Sequence, residues 1–205
     1  GDWEFRRVLF RSALIEAGQV QEAERELRLL LRDQPGYFQA AFCLANLLRD
    51  HKRDREAIEA FHLCLQYAPA YPDAWNNLGL AQANLKQMNE AMASYRQALS
   101  LDAGFKPSRQ NLAQALIQEK RHNEALEQFQ IFCGLETLSA GDTVIGLQGQ
   151  IACLMELGRY DDGLSLADRC SDDRRLQLMT RLHVLPVLYG SDEEVMSVQI
   201  GRAHV

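Results

Sequence analysis

Apolar residues recur along the chain in short groups whose members are three and four positions apart. The segments WNNLGLAQANL (75–85) and EAMASYRQALSL (90–101) show this pattern clearly. Such spacing places the apolar side chains on one face of an α-helix and the polar side chains on the other. Short polar turns, such as Lys52-Arg53 and Lys86-Gln87, separate successive groups. The pattern therefore predicts pairs of amphipathic helices, and the short turns make the two helices of a pair antiparallel.

The whole pattern repeats at a fixed offset of thirty-four positions, the distance from Ala23 to Ala57. One column of the repeat holds alanine, always preceded by glutamate: Ala23, Ala57, Ala91 and Ala125. Four positions later comes a column of large apolar residues: Leu27, Phe61, Tyr95 and Phe129. We expect the alanine methyl groups to let the backbones of a pair approach closely, and the large column to fill the space between successive units. A fixed period of this length predicts a solenoid of stacked helix pairs.

The stretch AWNNLGLAQANLKQMNEAMASYRQALSLD (74–102) resembles the tetratricopeptide repeat. The residues that carry the resemblance are Trp75, Leu78, Gly79, Ala91, Tyr95 and Ala98, with Ala57 and Ala125 in the alanine column of the neighbouring units. This resemblance implies an all-α fold, a right-handed superhelical solenoid of antiparallel helix pairs. It also implies a module that binds protein partners, with a concave wall built from the first helix of each unit.

The repeats weaken toward the end of the chain, and this suggests a division into segments. We expect regular units over residues 13–139, the first of them partial, and degenerate units over residues 140–199. An insertion of about four residues precedes the weaker part, Gly163 takes the alanine column, and Pro186 should interrupt a helix.

Both ends of the chain resemble translated sequencing-library adapters. The stretch from Arg6 to Ser12 is what AGACGTGTGCTCTTCCGATCT encodes, and the stretch from Ile200 to Val205 is what ATCGGAAGAGCACACGTC encodes. We therefore expect residues 1–12 and 200–205 to be scars, and we interpret the sequence as part of a longer protein.

Composition narrows the classes of function. With 22 Lys and Arg against 28 Asp and Glu, the net charge is -6, which gives no electrostatic reason to expect nucleic acid or an anionic membrane as a partner. The five cysteines, an odd number without a C-x-x-C pair, favour a reducing, cytoplasmic environment. No nucleotide-binding, hydrolase or metal-site motif occurs. We therefore predict no catalytic residue, metal, cofactor or small-molecule substrate in the chain as given.

Amide side chains dominate the outward positions of the predicted first helices. Asparagine and glutamine each offer donors and acceptors, so a row of them can satisfy the backbone of an extended peptide with little regard to its side chains. We therefore predict that protein or peptide partners bind along the concave face, at Asn46, Arg49, Asn76, Asn77, Asn84, Gln110, Asn111 and Gln114.

Two further resemblances leave alternatives open. Asn77 and Asn111 lie one repeat period apart, as in the asparagine ladder of O-linked N-acetylglucosamine transferases, although Cys43 replaces the first rung. The segment 182–199 resembles the link to the catalytic domain in the bacterial SPINDLY-type enzymes. On this alternative the chain would be the substrate-recognition arm of such a transferase. A clamp for a terminal carboxylate, by contrast, would need cations where Phe42, Pro107 and Asn111 stand.

Overall fold

The computed structural model describes residues 20–136 and 138–169, and these residues form α-helices without any β-strand. The all-α class predicted from the sequence is confirmed. Predictions that concern Pro186, residues 170–205, residues 1–19 and residue 137 lie outside the described part. The helices are α1 (Val20–Asp33), α2 (Phe38–Asp50), α3 (Asp54–Tyr67), α4 (Pro72–Asn84), α5 (Met88–Leu101), α6 (Lys106–Gln118), α7 (His122–Cys133), α8 (Ala140–Glu156) and α9 (Tyr160–Arg169).

The helices alternate between the two positions of a repeating helix pair, as a helical solenoid requires. The first helices of the pairs are α2, α4, α6 and α8, and the second helices are α1, α3, α5, α7 and α9. The described residues group into two compact units, 20–115 and 116–169, and α6 contributes residues to both. None of the described helices is long and apolar enough to cross a membrane.

The core of the unit 20–115 is built from the columns that the repeat predicts. Ala23, Ala57 and Ala91 have no exposed surface, and Leu78 and Tyr95 are almost fully buried. These side chains form the apolar stripes of successive helices, and burying them supplies the main driving force for folding.

Tyr95 has a nearer partner than the repeat pattern predicts. The ring lies against Gly79 in its own helix pair, where an added Cβ on Gly79 would come within 2.5 Å of Tyr95 Cε1. The large column therefore fills the gap left by the glycine within one pair. The repeat pattern predicts that this ring fills the space between successive units, and the structure shows that it also packs within its own helix pair. Sequence spacing could not predict this contact, because it does not show which residues of two facing helices meet.

The turns within the helix pairs share one hydrogen-bond pattern. In the first of them, Arg53 N–H donates to Leu48 O over 2.9 Å and Lys52 N–H donates to Arg49 O over 2.8 Å. The same two bonds end α4, α6 and α8. This is the Schellman motif, which needs a residue of left-handed conformation after the helix. Lysine fills that position three times, with φ of 61° at Lys52, 63° at Lys86 and 57° at Lys120, and glycine fills it at Gly158, with φ of 72°.

The unit 116–169 contains the predicted insertion. The residues of left-handed conformation are one repeat period apart at Lys52, Lys86 and Lys120. The next one, Gly158, lies four positions beyond the place that the period predicts. Helix α8 is correspondingly longer than α6, and Ser139 begins it with a capping box in which the Ser139 side chain and Asp142 N–H are bonded. Gly163 is buried in the alanine column of α9. The weaker repeat in this part of the sequence therefore still forms a helix pair.

We expect glycine at positions 52, 86 and 120 to raise the free energy of unfolding by about 1 kcal/mol per site, because glycine adopts the left-handed conformation without the clash that a Cβ brings. The reverse change, Gly158→Lys, should lower the free energy of unfolding by a similar amount. Urea denaturation followed by far-ultraviolet circular dichroism measures both changes. A loss of stability in the glycine variants would contradict the assigned turn conformation.

Candidate functional site

Four asparagines on the first helices of the unit 20–115 form one hydrogen-bonded row. Asn111 Nδ2 donates to Asn76 Oδ1 over 2.9 Å. Asn76 Nδ2 donates to Asn77 Oδ1 over 3.1 Å, and Asn77 Nδ2 donates to Asn46 Oδ1 over 2.9 Å. This amide row, Asn111-Asn76-Asn77-Asn46, runs from α6 across α4 to α2. It thus brings together four of the eight residues predicted for the binding face.

Asn76 does not face outward as predicted. Its side chain is only 6% exposed, and its Oδ1 accepts a second hydrogen bond, over 3.0 Å, from the hydroxyl of buried Ser108. The amide lies inside because Ser108 occupies a column that holds the small residues Ala74 and Ala40 one and two repeats earlier. A serine in a buried column of alanines was the sequence signal that a polar partner is near.

The other three members of the row are half-buried and retain open hydrogen-bonding groups. Within the described residues, Asn46 Nδ2 donates to no other group and Asn111 Oδ1 accepts from none. Gln114, which is exposed, lies three positions from Asn111 on the same side of α6, and Gln110, which is half-buried, directly precedes Asn111. The row therefore presents both donors and acceptors toward its surroundings.

Two other predicted residues, Arg49 and Asn84, bond acidic neighbours instead of the row. Arg49 Nη2 lies 3.0 Å from Asp50 Oδ1, which holds the guanidinium beside the end of α2. Asn84 Nδ2 donates to Asp54 Oδ1 over 2.9 Å, a bond that ties the end of α4 to the start of α3. Both side chains lie at the turn end of their helices, where they contact acidic neighbours.

An aromatic cluster, which the repeat pattern does not reveal, stands at the opposite end of the same helices. The ring of Tyr71, just before α4, lies 4.9 Å from that of Phe42 and 5.9 Å from that of Phe38, between centroids. All three residues are half-buried. Burial, helped by nearby Asp73, raises the pKa of the Tyr71 phenol. The cluster gives an apolar wall one turn before Asn46.

Charged residues gather instead on the second helices. Arg53 bonds both Glu56 and Glu24, with Nη1 of Arg53 2.6 Å from Glu24 Oε2. Arg28 bonds the same two glutamates. Arg53 holds the pKa of the Glu24 carboxyl below its usual value. These charges satisfy one another across α1 and α3, whereas the amide row and the aromatic cluster are uncharged.

The described residues do not bring metal-ligating side chains together. In the ranges 20–136 and 138–169, no group of three or more histidines, cysteines, aspartates or glutamates could hold a metal ion. Cys64 and Cys153 are buried, and burial raises the pKa of each thiol to about 11.

The sequence of the chain matches known family models, and its fold is similar to those of solved structures. Two family models described as tetratricopeptide repeat match residues 72–105 and 12–63. No curated protein matches the chain. The fold is similar to that of a MamA protein, with a TM-score of 0.72 and 14% identity over 86% of this chain and 91% of that one.

Two further solved structures show the same fold. YrrB, "a TPR protein with an unusual peptide-binding site", has a TM-score of 0.69 and 17% identity, over 85% of this chain and 90% of that one. A tetratricopeptide repeat protein from Parabacteroides merdae has a TM-score of 0.78 and 14% identity, over 96% of this chain and 77% of that one. At these identities the likeness establishes the fold alone.

Proposed function

Because the chain belongs to the tetratricopeptide repeat family, whose repeats serve as protein-interaction modules, we propose that it binds extended segments of partner proteins along its first helices. The binding face comprises the amide row and the aromatic cluster of the unit 20–115. The module presents peptides and carries out no reaction of its own in this part of the chain.

The single observation that carries this proposal is the amide row. An extended peptide has N–H and C=O groups that are not bonded to each other, and leaving them unpaired on binding is unfavourable. The half-buried amides of Asn46, Asn77 and Asn111 lie in sequence on α2, α4 and α6. Carboxamides can bond either type of backbone group. The row thus matches the backbone of a peptide that crosses the three helices.

The aromatic cluster adds a place for one apolar side chain of the peptide. Phe38, Phe42 and Tyr71 form a half-buried wall beside the row, and contact with aromatic rings contributes strongly to affinity at interfaces. The face therefore favours a segment with one apolar anchor and otherwise tolerates many sequences. The face itself carries no charge and the chain as a whole has a net charge of -6. Both features favour proteins or peptides over nucleic acid or an anionic membrane as partners.

YrrB gives independent support, since it is a protein of this fold with a peptide-binding site. Peptide binding is therefore within the capacity of helix pairs arranged in this way. The residues that would carry it in the present chain are Asn46, Asn77 and Asn111, because these members of the amide row combine partial exposure with donors and acceptors.

We expect the double variant Asn77→Ala, Asn111→Ala to bind peptides roughly thirtyfold more weakly than the parent chain, since two hydrogen bonds of about 1 kcal/mol each are lost. The measurement is fluorescence anisotropy with the tightest octapeptide from a random array, capped by acetyl and amide groups. The matched control is Asn89→Ala, Asn123→Ala, which removes two exposed asparagines, also one repeat period apart, from the second helices. Equal affinity in the two double variants would place the site elsewhere.

A further inference from the structure

The amide row has two chemically different ends. At Asn46 the oxygen accepts from Asn77 with one of its two lone pairs, and both N–H groups of the amide are left as donors. At Asn111 one N–H donates to Asn76, and both lone pairs of the oxygen are left as acceptors. All three hydrogen bonds run in the same direction, from α6 to α2, so each amide polarises the next.

Building on the proposed function, we propose that these two ends select the hydrogen-bonding polarity of the bound backbone. Asn46 Nδ2 holds a peptide carbonyl group, and Asn111 Oδ1 holds a peptide N–H group. Buried Asn76 is a positioning residue, and Asn77, besides its own contact with the peptide, fixes the orientation of the Asn46 amide.

Burial of Asn76 couples the orientations of the amides in the row. Asn76 Oδ1 accepts from both the Ser108 hydroxyl and the Asn111 amide, so both of its lone pairs are used. A rotated Asn76 amide would set its NH2 group against the NH2 group of Asn111, and at 6% exposure water cannot take over the lost bond. The orientation of the inner amide therefore fixes the outer ones.

The surroundings of the two ends leave this polarity to the amides themselves. Arg49 lies three positions beyond Asn46 on α2, but the carboxylate of Asp50, 3.0 Å away, neutralises its guanidinium. The acceptor end at Asn111 has the neutral amides Gln110 and Gln114 as neighbours in α6. The donor of Asn46 therefore favours a carbonyl oxygen near α2, and the acceptor of Asn111 favours an N–H group near α6.

This polarity restricts which residues the bound peptide can have at one position. Every residue has a carbonyl group, so the contact at Asn46 excludes none of them. Proline has no N–H, so a peptide with proline at the position that faces Asn111 loses the hydrogen bond to Asn111 Oδ1. The face therefore tolerates changes of side chain at most positions but rejects proline, or an N-methylated residue, at one of them.

An exchange of asparagine for aspartate tests the two ends separately. Asn46→Asp keeps the oxygen that accepts from Asn77 and removes the outer donor, so the chain should stay as stable as the parent while binding the capped octapeptide roughly tenfold more weakly. Asn111→Asp removes the donor to Asn76 and sets two oxygens against each other, so the urea midpoint should fall. Asn89→Asp adds the same charge in the first turn of α5, where the helix dipole favours a carboxylate, so it should lower neither the affinity nor the urea midpoint.

A scan of the same octapeptide with N-methyl groups completes the test. We expect one position to lose affinity for the parent chain, and this loss to vanish in Asn111→Ala, which has no acceptor. A fall in stability for Asn46→Asp as large as that for Asn111→Asp would overturn the assigned polarity, and so would a scan without any sensitive position. Failure of every array peptide to bind would instead reject the proposed function itself.

Discussion

Replacing Tyr95 with alanine is expected to lower the free energy of unfolding by about 3–5 kcal/mol, the range for truncating a fully buried aromatic side chain. The ring is only 2% exposed and packs against Gly79 in the facing helix. Truncation leaves a cavity that α4 cannot close, because position 79 has no side chain to move into it. Urea denaturation of the whole chain, followed by circular dichroism, measures the loss.

The packing of Tyr95 on Gly79 also predicts that Gly79→Ala changes the free energy of unfolding in opposite directions with and without the Tyr95 ring. In the parent chain, Gly79→Ala places a methyl group 2.5 Å from Tyr95 Cε1 and 2.8 Å from Cδ1, and such overpacking costs about 1–3 kcal/mol. In the Tyr95→Ala background the clash is absent, and alanine in place of glycine within a helix adds about 1 kcal/mol of stability. Gly79→Ala should therefore destabilise the parent chain and stabilise the variant.

A second glycine provides the matched control for this cycle. Gly141 lies near the start of α8, and an added Cβ there would meet only the Ser139 hydroxyl at 3.7 Å. Gly141→Ala should have the same small effect in both backgrounds. If Gly79→Ala also behaves the same in both backgrounds, the two residues do not constrain each other and the assigned contact is wrong.

Sequence periodicity was sufficient to predict the helices but not the contacts between them. The repeat period identified the buried columns, and Ala57, Ala91 and Ala125 have no exposed surface. The facing partner of Tyr95 was not predictable, because it depends on how the two helices cross. The left-handed lysines were also missed, since a turn of Lys and Arg has no glycine to signal a positive φ.

The candidate site shows the same division between what a repeat reveals and what packing decides. The spacing of Asn77 and Asn111 identified one column of amides, in which Cys43 takes the place of a further asparagine. In the structure the row continues from Asn77 to Asn46, one turn further along α2, so the cysteine does not end it. A pattern of polar and apolar residues treats every asparagine as outward-facing and could not predict that Asn76 lies inside.

Asn76→Ala is expected to lower the free energy of unfolding by about 2–3 kcal/mol, a large effect for a polar residue. Removing the amide leaves the Ser108 hydroxyl without an acceptor at a site with no exposed surface, and an unpaired buried polar group costs about 1–3 kcal/mol. The donor of Asn111 and the acceptor of Asn77 also lose their partner, although both residues are half-buried and can bond water.

A second substitution, at Ser108, tests whether the unpaired Ser108 hydroxyl causes the loss of stability in Asn76→Ala. In the parent chain, Ser108→Ala breaks a satisfied hydrogen bond and should lower the free energy of unfolding by about 1 kcal/mol. In the Asn76→Ala background the same change removes an unsatisfied hydroxyl, so it should raise the free energy of unfolding by a similar amount. An equal loss in both backgrounds would mean that Asn76 stabilises the chain by packing alone. Recovery would instead show that the row is held from within by a buried hydrogen bond, which is the condition under which Asn46 and Asn111 can present fixed donors and acceptors to a peptide.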